Sequence, residues 1–148
     1  MTRETPEAFL GNLAGIEKSG KMPRLALVRV SSGDLAANDR MLGTLVSRLS
    51  RSRFWPEMAI FILVTHTGNG QDHVDRRRAP VFVVSPYVRR RSVDSNMYNT
   101  TSMLRTIELI SGLQPMTQFD AASRPMSACF QATPDPTPYT PADGGAAR

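Results

Sequence analysis

A chain of 148 residues and 16.3 kDa, 41% hydrophobic and 21% charged, has the length and composition of one soluble globular domain, which excludes disorder throughout, a collagen and a disulfide scaffold. Its net charge of +5 and pI of about 10.1 permit anionic partners such as phosphate esters, nucleic acid or lipid headgroups without selecting among them. The single cysteine, Cys129, excludes an internal disulfide and a thiolate metal cluster.

In chain order, Thr5, Pro6 and Glu7 read as an N-cap, a proline at the first helical position and an acid in the first turn. Phe9, Leu10, Leu13 and Ile16 supply the apolar stripe of that helix. Glu4, Glu7 and Glu17 break up the apolar positions of the first twenty residues, so the unbroken stretch of ~7 to 15 residues that a secretory signal needs is absent. No run approaches the roughly 20 apolar residues of a membrane span, and the compartment stays undetermined. Residues 25–30 predict a strand ended by Ser31, Ser32, Gly33 and Asp34. Asn38 is placed to cap a second helix whose apolar face is Met41, Leu42, Leu45, Val46 and Leu49.

Residues 59–64 form a continuous apolar run rich in β-branched side chains, which suits a strand buried on both faces of a parallel sheet, paired with 25–30 through the crossover helix. Residues 81–84 are a second such run, bounded by Pro80 and Pro86. A third helix is predicted from about 99 to 111, with Met103, Leu104, Ile107 and Ile110 facing inward and Gly112 as its stop. From Thr133 onward Pro134, Pro136, Pro138 and Pro141, then Gly144 and Gly145, make an extended arm and a disordered end. The order of elements is that of an α/β domain over residues 1–132 with a Pro/Gly-rich tail over 133–148.

Loops at the carboxyl ends of strands carry ligands in open α/β sheets, which directs attention to residues 65–79. Asp72, His73 and Asp75 there combine carboxylate oxygen and imidazole nitrogen, the donor set of zinc, manganese and similar ions. His66 is a further nitrogen donor, and Arg76, Arg77 and Arg78 suit a phosphate oxygen. A solvated polar loop accounts for the same residues. Lys18 and Lys21 are the only lysines, so the positive charge is nearly all arginine, as bidentate oxyanion contacts require and as a GC-rich coding bias also produces. At ~3.3 Å per strand residue, the triplets 76–78 and 89–91 lie roughly 30 Å apart, too far to clamp one small phosphate. Only Tyr87 stands near them, so a nucleic-acid groove is not expected. No nucleophile elbow, helical zinc motif or Gly-rich phosphate loop is present. Cys129, between Ala128 and Phe130, reads as a buried, unreactive thiol.

The stretch from Ala79 through Tyr87, then Tyr98 through Ile110 and Gly112 through Ala121, closely resembles the C-terminal part of bacterial phosphoesterases of the alkaline phosphatase superfamily, the branch with phospholipase C-like enzymes. Pro125, Met126, Cys129, Phe130 and the run Thr137, Pro138, Tyr139, Thr140 extend the resemblance to the tail. Asp72, His73, Val74 and Asp75, with Asn38, Asp39, Leu42 and Gly43, extend it upstream, so that it covers most of residues 22–141. The resemblance implies a three-layer α/β/α fold, of which this chain would be the C-terminal portion, and hydrolysis of phosphate esters by two divalent ions and an activated hydroxyl. On it Asp72 and His73 are candidate metal ligands, with Asp75 and Arg78 on the substrate side; His66 joins them as a metal-ligand candidate on its donor chemistry alone.

Three departures set the expectation for activity. Where relatives carry an Asn-Asp-His-Thr motif, only Ser31, Ser32, Gly33, Asp34 and Leu35 stand here. Where relatives follow a strand with Thr-Glu-Asp-Asp, this chain has Thr65, His66, Thr67 and Gly68. In the pattern Asp-His-Val-Asp-x-His-Arg, Arg77 replaces the second histidine and puts a fixed positive charge among the ligands. The expectation is therefore a truncated and catalytically degenerate phosphoesterase domain with weak or absent metal binding, no nucleophile of its own, and a missing N-terminal half or a second copy as its partner. Two alternatives stand beside it: an active hydrolase with a site rebuilt from His66, Asp72, His73 and Asp34, and an arginine-rich module binding anions or nucleic acid.

Overall fold

The computed structural model describes residues 2–31, 34–64 and 79–141, in two compact units, Met1–Met58 with Pro136–Arg148, and Ala59–Asp135. In the first, Thr5 Oγ1 accepts from the Ala8 amide at 3.3 Å and Pro6 opens helix α1 (Pro6–Ser19). The helix ends at Gly20, whose φ of 68° lets its amide reach back to the Ile16 and Glu17 carbonyls. Phe9 and Leu13 are buried, whereas Leu10 and Ile16, expected on the same stripe, are half-buried.

The predicted strand 25–30 contracts to β2 (Ala26–Val28), and its partner is a strand the sequence pattern did not reveal, β1 (Thr2–Glu4). The pair is parallel, with Glu4 opposite Val28, and the Arg29 amide donates to the Glu4 carbonyl at 3.1 Å. Three residues before a strong N-cap carry too little periodicity to announce a strand. The helix expected from Asn38 starts a turn earlier, as α2 (Leu35–Leu49), because Asp34 Oδ1 takes the Ala36 amide at 2.9 Å and acts as the cap. Leu45, Val46 and Leu49 are buried, with Trp55 of the 3-10 turn Trp55–Glu57. This core sets an expected result: Leu13→Ala, which deletes a side chain only 1% exposed, lowers unfolding free energy by about 2 to 5 kcal/mol. Leu35→Ala, at a position 84% exposed, stays within about 0.5 kcal/mol in the same urea melts.

In the second unit β3 (Ile60–Leu63) and β4 (Val81–Val84) run antiparallel, Ile60 opposite Val84 and Leu63 opposite Val81. The parallel pairing expected between 25–30 and 59–64 is therefore corrected: β2 pairs with β1, and β3 with β4. A short apolar run carries no information about strand direction, which is set by the connection that follows it. Nor is β3 buried on both faces, since all four of its positions are half-buried, and Phe82 of β4 is 54% exposed.

Helix α3 (Thr100–Ser111) begins and ends as predicted. Asn99 Oδ1 accepts from the Ser102 amide at 2.9 Å, the Ser102 hydroxyl accepts from the Asn99 amide, and Gly112 at φ 67° closes the last turn. Its buried face differs from the expected one. Met103 is buried, but with Ser102, Thr106 and Glu108, while Leu104 and Ile107 are half-buried and Ile110 is 56% exposed. Of the polar members, Thr106 is satisfied: its Oγ1 donates to the Ser102 carbonyl at 2.7 Å and accepts from the Met126 amide at 2.8 Å. A four-residue helix, α4 (Gln118–Ala121), follows. Mixed helix and strand with a small antiparallel sheet is the composition of an α/β protein.

A 3-10 turn at Ser127–Cys129 precedes the last segment. The Arg89 amide donates to the Cys129 carbonyl, the Gln131 amide to Tyr87, and the Asp135 amide to Pro86 at 2.8 Å. Cys129 is half-buried rather than buried; burial pushes its thiol up, and Sγ donates to the Met126 carbonyl at 2.8 Å. Residues 134–141 form no helix or strand, and residues 142–148 lie outside the described residues. No described helix is long and apolar enough to cross a membrane.

Candidate functional site

The β3–β4 ladder fixes the feet of the loop that holds the expected chemistry. Because Leu63 lies opposite Val81, residues 64–80 leave and return at one end of the ladder, with the feet about 5 Å apart. A connection this long is far beyond the 2 to 5 residues of an ordinary hairpin turn. The residues expected to bind metal or substrate, His66, Asp72, His73, Asp75 and Arg78, together with Arg77, lie outside the described residues.

Other sequence candidates are placed, and each has a local employment. Asp34, the further ligand of the rebuilt-site alternative, spends its carboxylate on the N-terminus of α2 and stands 3.8 Å from Arg40. Of the second arginine triplet, Arg90 holds Asp135, Nε to Oδ2 at 2.9 Å and Nη2 to the backbone carbonyl at 3.1 Å. Arg91 adopts a left-handed φ of 53°.

Two concavities were not foreseen. One of about 690 Å³ opens at the carboxyl ends of β1 and β2, lined by Glu4, Thr5, Glu7, Arg29, Ser31 and Asn38 among others. It sits where parallel strands hand over to helix N-termini, a position that favours ligands, but its charges are of both signs. The second, of about 600 Å³, lies at the start of α3 and includes Tyr98, Asn99, Ser102, Phe119, Ser123 and Arg124. Beside it the Asn96 amide and the Tyr98 hydroxyl, at 3.0 and 2.8 Å, hold the Asp94 carboxyl below the usual range.

Two carboxylates outside the sequence candidates, Asp120 and Glu108, are buried. Asp120 is fully buried, and its carboxylate accepts from the Thr117 hydroxyl, the Thr117 amide at 2.8 Å and the Met116 amide at 2.7 Å. The Thr117 hydroxyl first, and the Met116 amide with it, hold Asp120 far below the ordinary carboxylate range despite burial. Glu108, 2% exposed, faces Arg105 Nη1 through Oε2 at 3.4 Å, and its Oε1 has no partner. The signal that could have found this pair is Thr117 three residues before Asp120, a reciprocal cap. It is a folding device. Among the described residues no three His, Cys, Asp or Glu side chains converge as metal ligands would.

A model of the Phosphoesterase family matches residues 22–114, more than half of the chain. The matched span runs from before β2 to just after α3 and includes residues 65–78. Among curated proteins no match to the chain is found.

Proposed function

The chain belongs to the Phosphoesterase family, and on that premise we propose that it is a phosphoric-ester-hydrolase domain whose metal centre is degenerate. The observation that supports this reading is that the family match runs through the 65–78 loop, where the sequence keeps Asp72, His73, Asp75 and Arg78. Thr67, Gly68 and Arg77 stand where the family pattern calls for two acids and a histidine.

The donor set does not fit two divalent ions. Two ions close together bring four positive charges, which several carboxylates must offset, whereas Asp72 and Asp75 are the only acids between residues 65 and 78. His66 and His73 are neutral donors, and Arg76, Arg77 and Arg78 add positive charge beside them. Asp34 is engaged at its helix cap and is not available to make up the deficit without uncapping α2. The three-layer α/β/α arrangement of the alkaline phosphatase superfamily is the fold we propose for the family portion, with β3, β4 and α3 as its local elements. In this reading the loop retains phosphate-directed arginine and loses the ions that would polarise the ester.

The test is hydrolysis of an aryl phosphate by the full chain with zinc or manganese present. Turnover is expected at the uncatalysed background, unaltered by chelator. Hydrolysis above background that a chelator abolishes would overturn the proposal in favour of the rebuilt active site.

A further inference from the structure

The tail offers an inference independent of the phosphoesterase loop. From Thr133 to Pro138 every residue is either a proline or directly precedes one, and Thr140 precedes Pro141. Proline locks its own φ and pushes the preceding residue out of the helical region, so this segment is extended before it touches anything. Little conformational entropy remains to be lost when such a segment docks.

Its partners in the first unit are three side chains at the end of α2 and just beyond. The Trp55 indole N–H donates to the Pro136 carbonyl at 3.0 Å. Three residues on, the Tyr139 amide donates to Ser50 Oγ at 2.9 Å, and Arg51 Nη1 donates to the Tyr139 carbonyl at 2.9 Å. A spacing of three is one turn of a polyproline helix, so both contact points fall on one edge of the arm. Trp55 and Ser50 are 3% and 1% exposed, while residues 136–141 are exposed, Tyr139 at 38%. The arm is thus read through its backbone. Aromatic N–H donors aimed at prolyl carbonyls are how grooves recognise proline-rich ligands, because the donor-poor segment presents mostly acceptors.

We propose that Ser50, Arg51 and Trp55 form a binding site for an extended proline-rich peptide, and that residues 136–141 of the same chain occupy it as a releasable arm. Because the arm is tethered, its effective concentration at the site is high, and a free peptide competes only when the arm is weakened.

Trp55 is the single tryptophan, so its fluorescence reports occupancy in the full chain. Pro136→Gly with Pro138→Gly keeps every acceptor but frees the backbone. Acrylamide quenching of Trp55 in this variant is expected to rise roughly threefold over the parent. A synthetic peptide of residues 131–141, added at saturation, is expected to return quenching to the parent value, and a peptide with the four prolines replaced by glycine is not. Hydrogen exchange supplies a second measurement that needs no loosened arm: Ser50→Ala should speed exchange at the Tyr139 amide roughly tenfold while far-UV circular dichroism is unchanged. Unaltered quenching in the glycine variant, or quenching that the peptide leaves raised, overturns the proposal.

Discussion

Asp120→Ala lowers the thermal midpoint by roughly 10 °C or more. The side chain is fully buried and closes the cap of α4 by taking the Met116 and Thr117 amides and the Thr117 hydroxyl. Truncation leaves those donors without an acceptor. Asp120→Asn keeps the shape but offers one oxygen where the carboxylate offers two, so its midpoint falls less than that of the alanine variant and more than that of Asp34→Asn at the exposed cap of α2. The same group gives the melt a pH dependence whose sign is fixed. The folded state holds Asp120 below its unfolded pKa, so its contribution is complete above about pH 4 and is lost progressively as the pH falls below that value. Scanning calorimetry between pH 2 and 7 checks this. A midpoint that Asp120→Asn leaves unchanged, or one that drops equally with acid in both proteins, would show the carboxylate is not what holds the turn.

Local chemistry was legible in the sequence, and long-range pairing was not. Thr5 with Pro6, and Asn99 with Gly112, set helix ends through contacts within a few residues, and both helices fall where those signals put them. Asn38 misled because Asp34, read as the end of a strand and as a candidate metal ligand, reaches the Ala36 amide first and starts α2 a turn earlier. The direction of β3 could not be read, because an apolar run looks the same whether its neighbour arrives through a crossover helix or a hairpin. The inward face of α3 failed for a different reason. Apolar periodicity assigns Ile110 to the core, but Thr106 and Glu108 occupy the buried side by hydrogen-bonding and charge-pairing within this unit. Leu109, Ile110 and Leu113 are left half-exposed. Of the candidate site, the sequence supplies the residue types and the ladder supplies the feet of the loop. Family membership rests on the run of residues rather than on any one of them.

Restoring the acids and the imidazole of the loop together, as Thr67→Asp, Gly68→Asp and Arg77→His, should tighten zinc binding at least roughly tenfold by calorimetric titration. The argument is one of charge and donor type. On the reading proposed above, Asp72, His73 and His66 are the donors of the parent sequence, while Arg77 adds a guanidinium that is never deprotonated at working pH and has no lone pair to offer. The triple variant adds two carboxylates, removes one positive charge and supplies an imidazole, so every change favours a cation at short range. Arg77→His alone should give the larger part of the gain if repulsion dominates, and the two acids alone if ligand count does; the paired single and double variants separate the terms. Hydrolysis of an aryl phosphate should stay at background in the triple variant, because none of the three changes supplies a nucleophile. Tight stoichiometric binding of two zinc ions by the unmodified chain would refute the degenerate reading, and equal weak affinity in both forms would show that the loop does not gather these side chains around a common point.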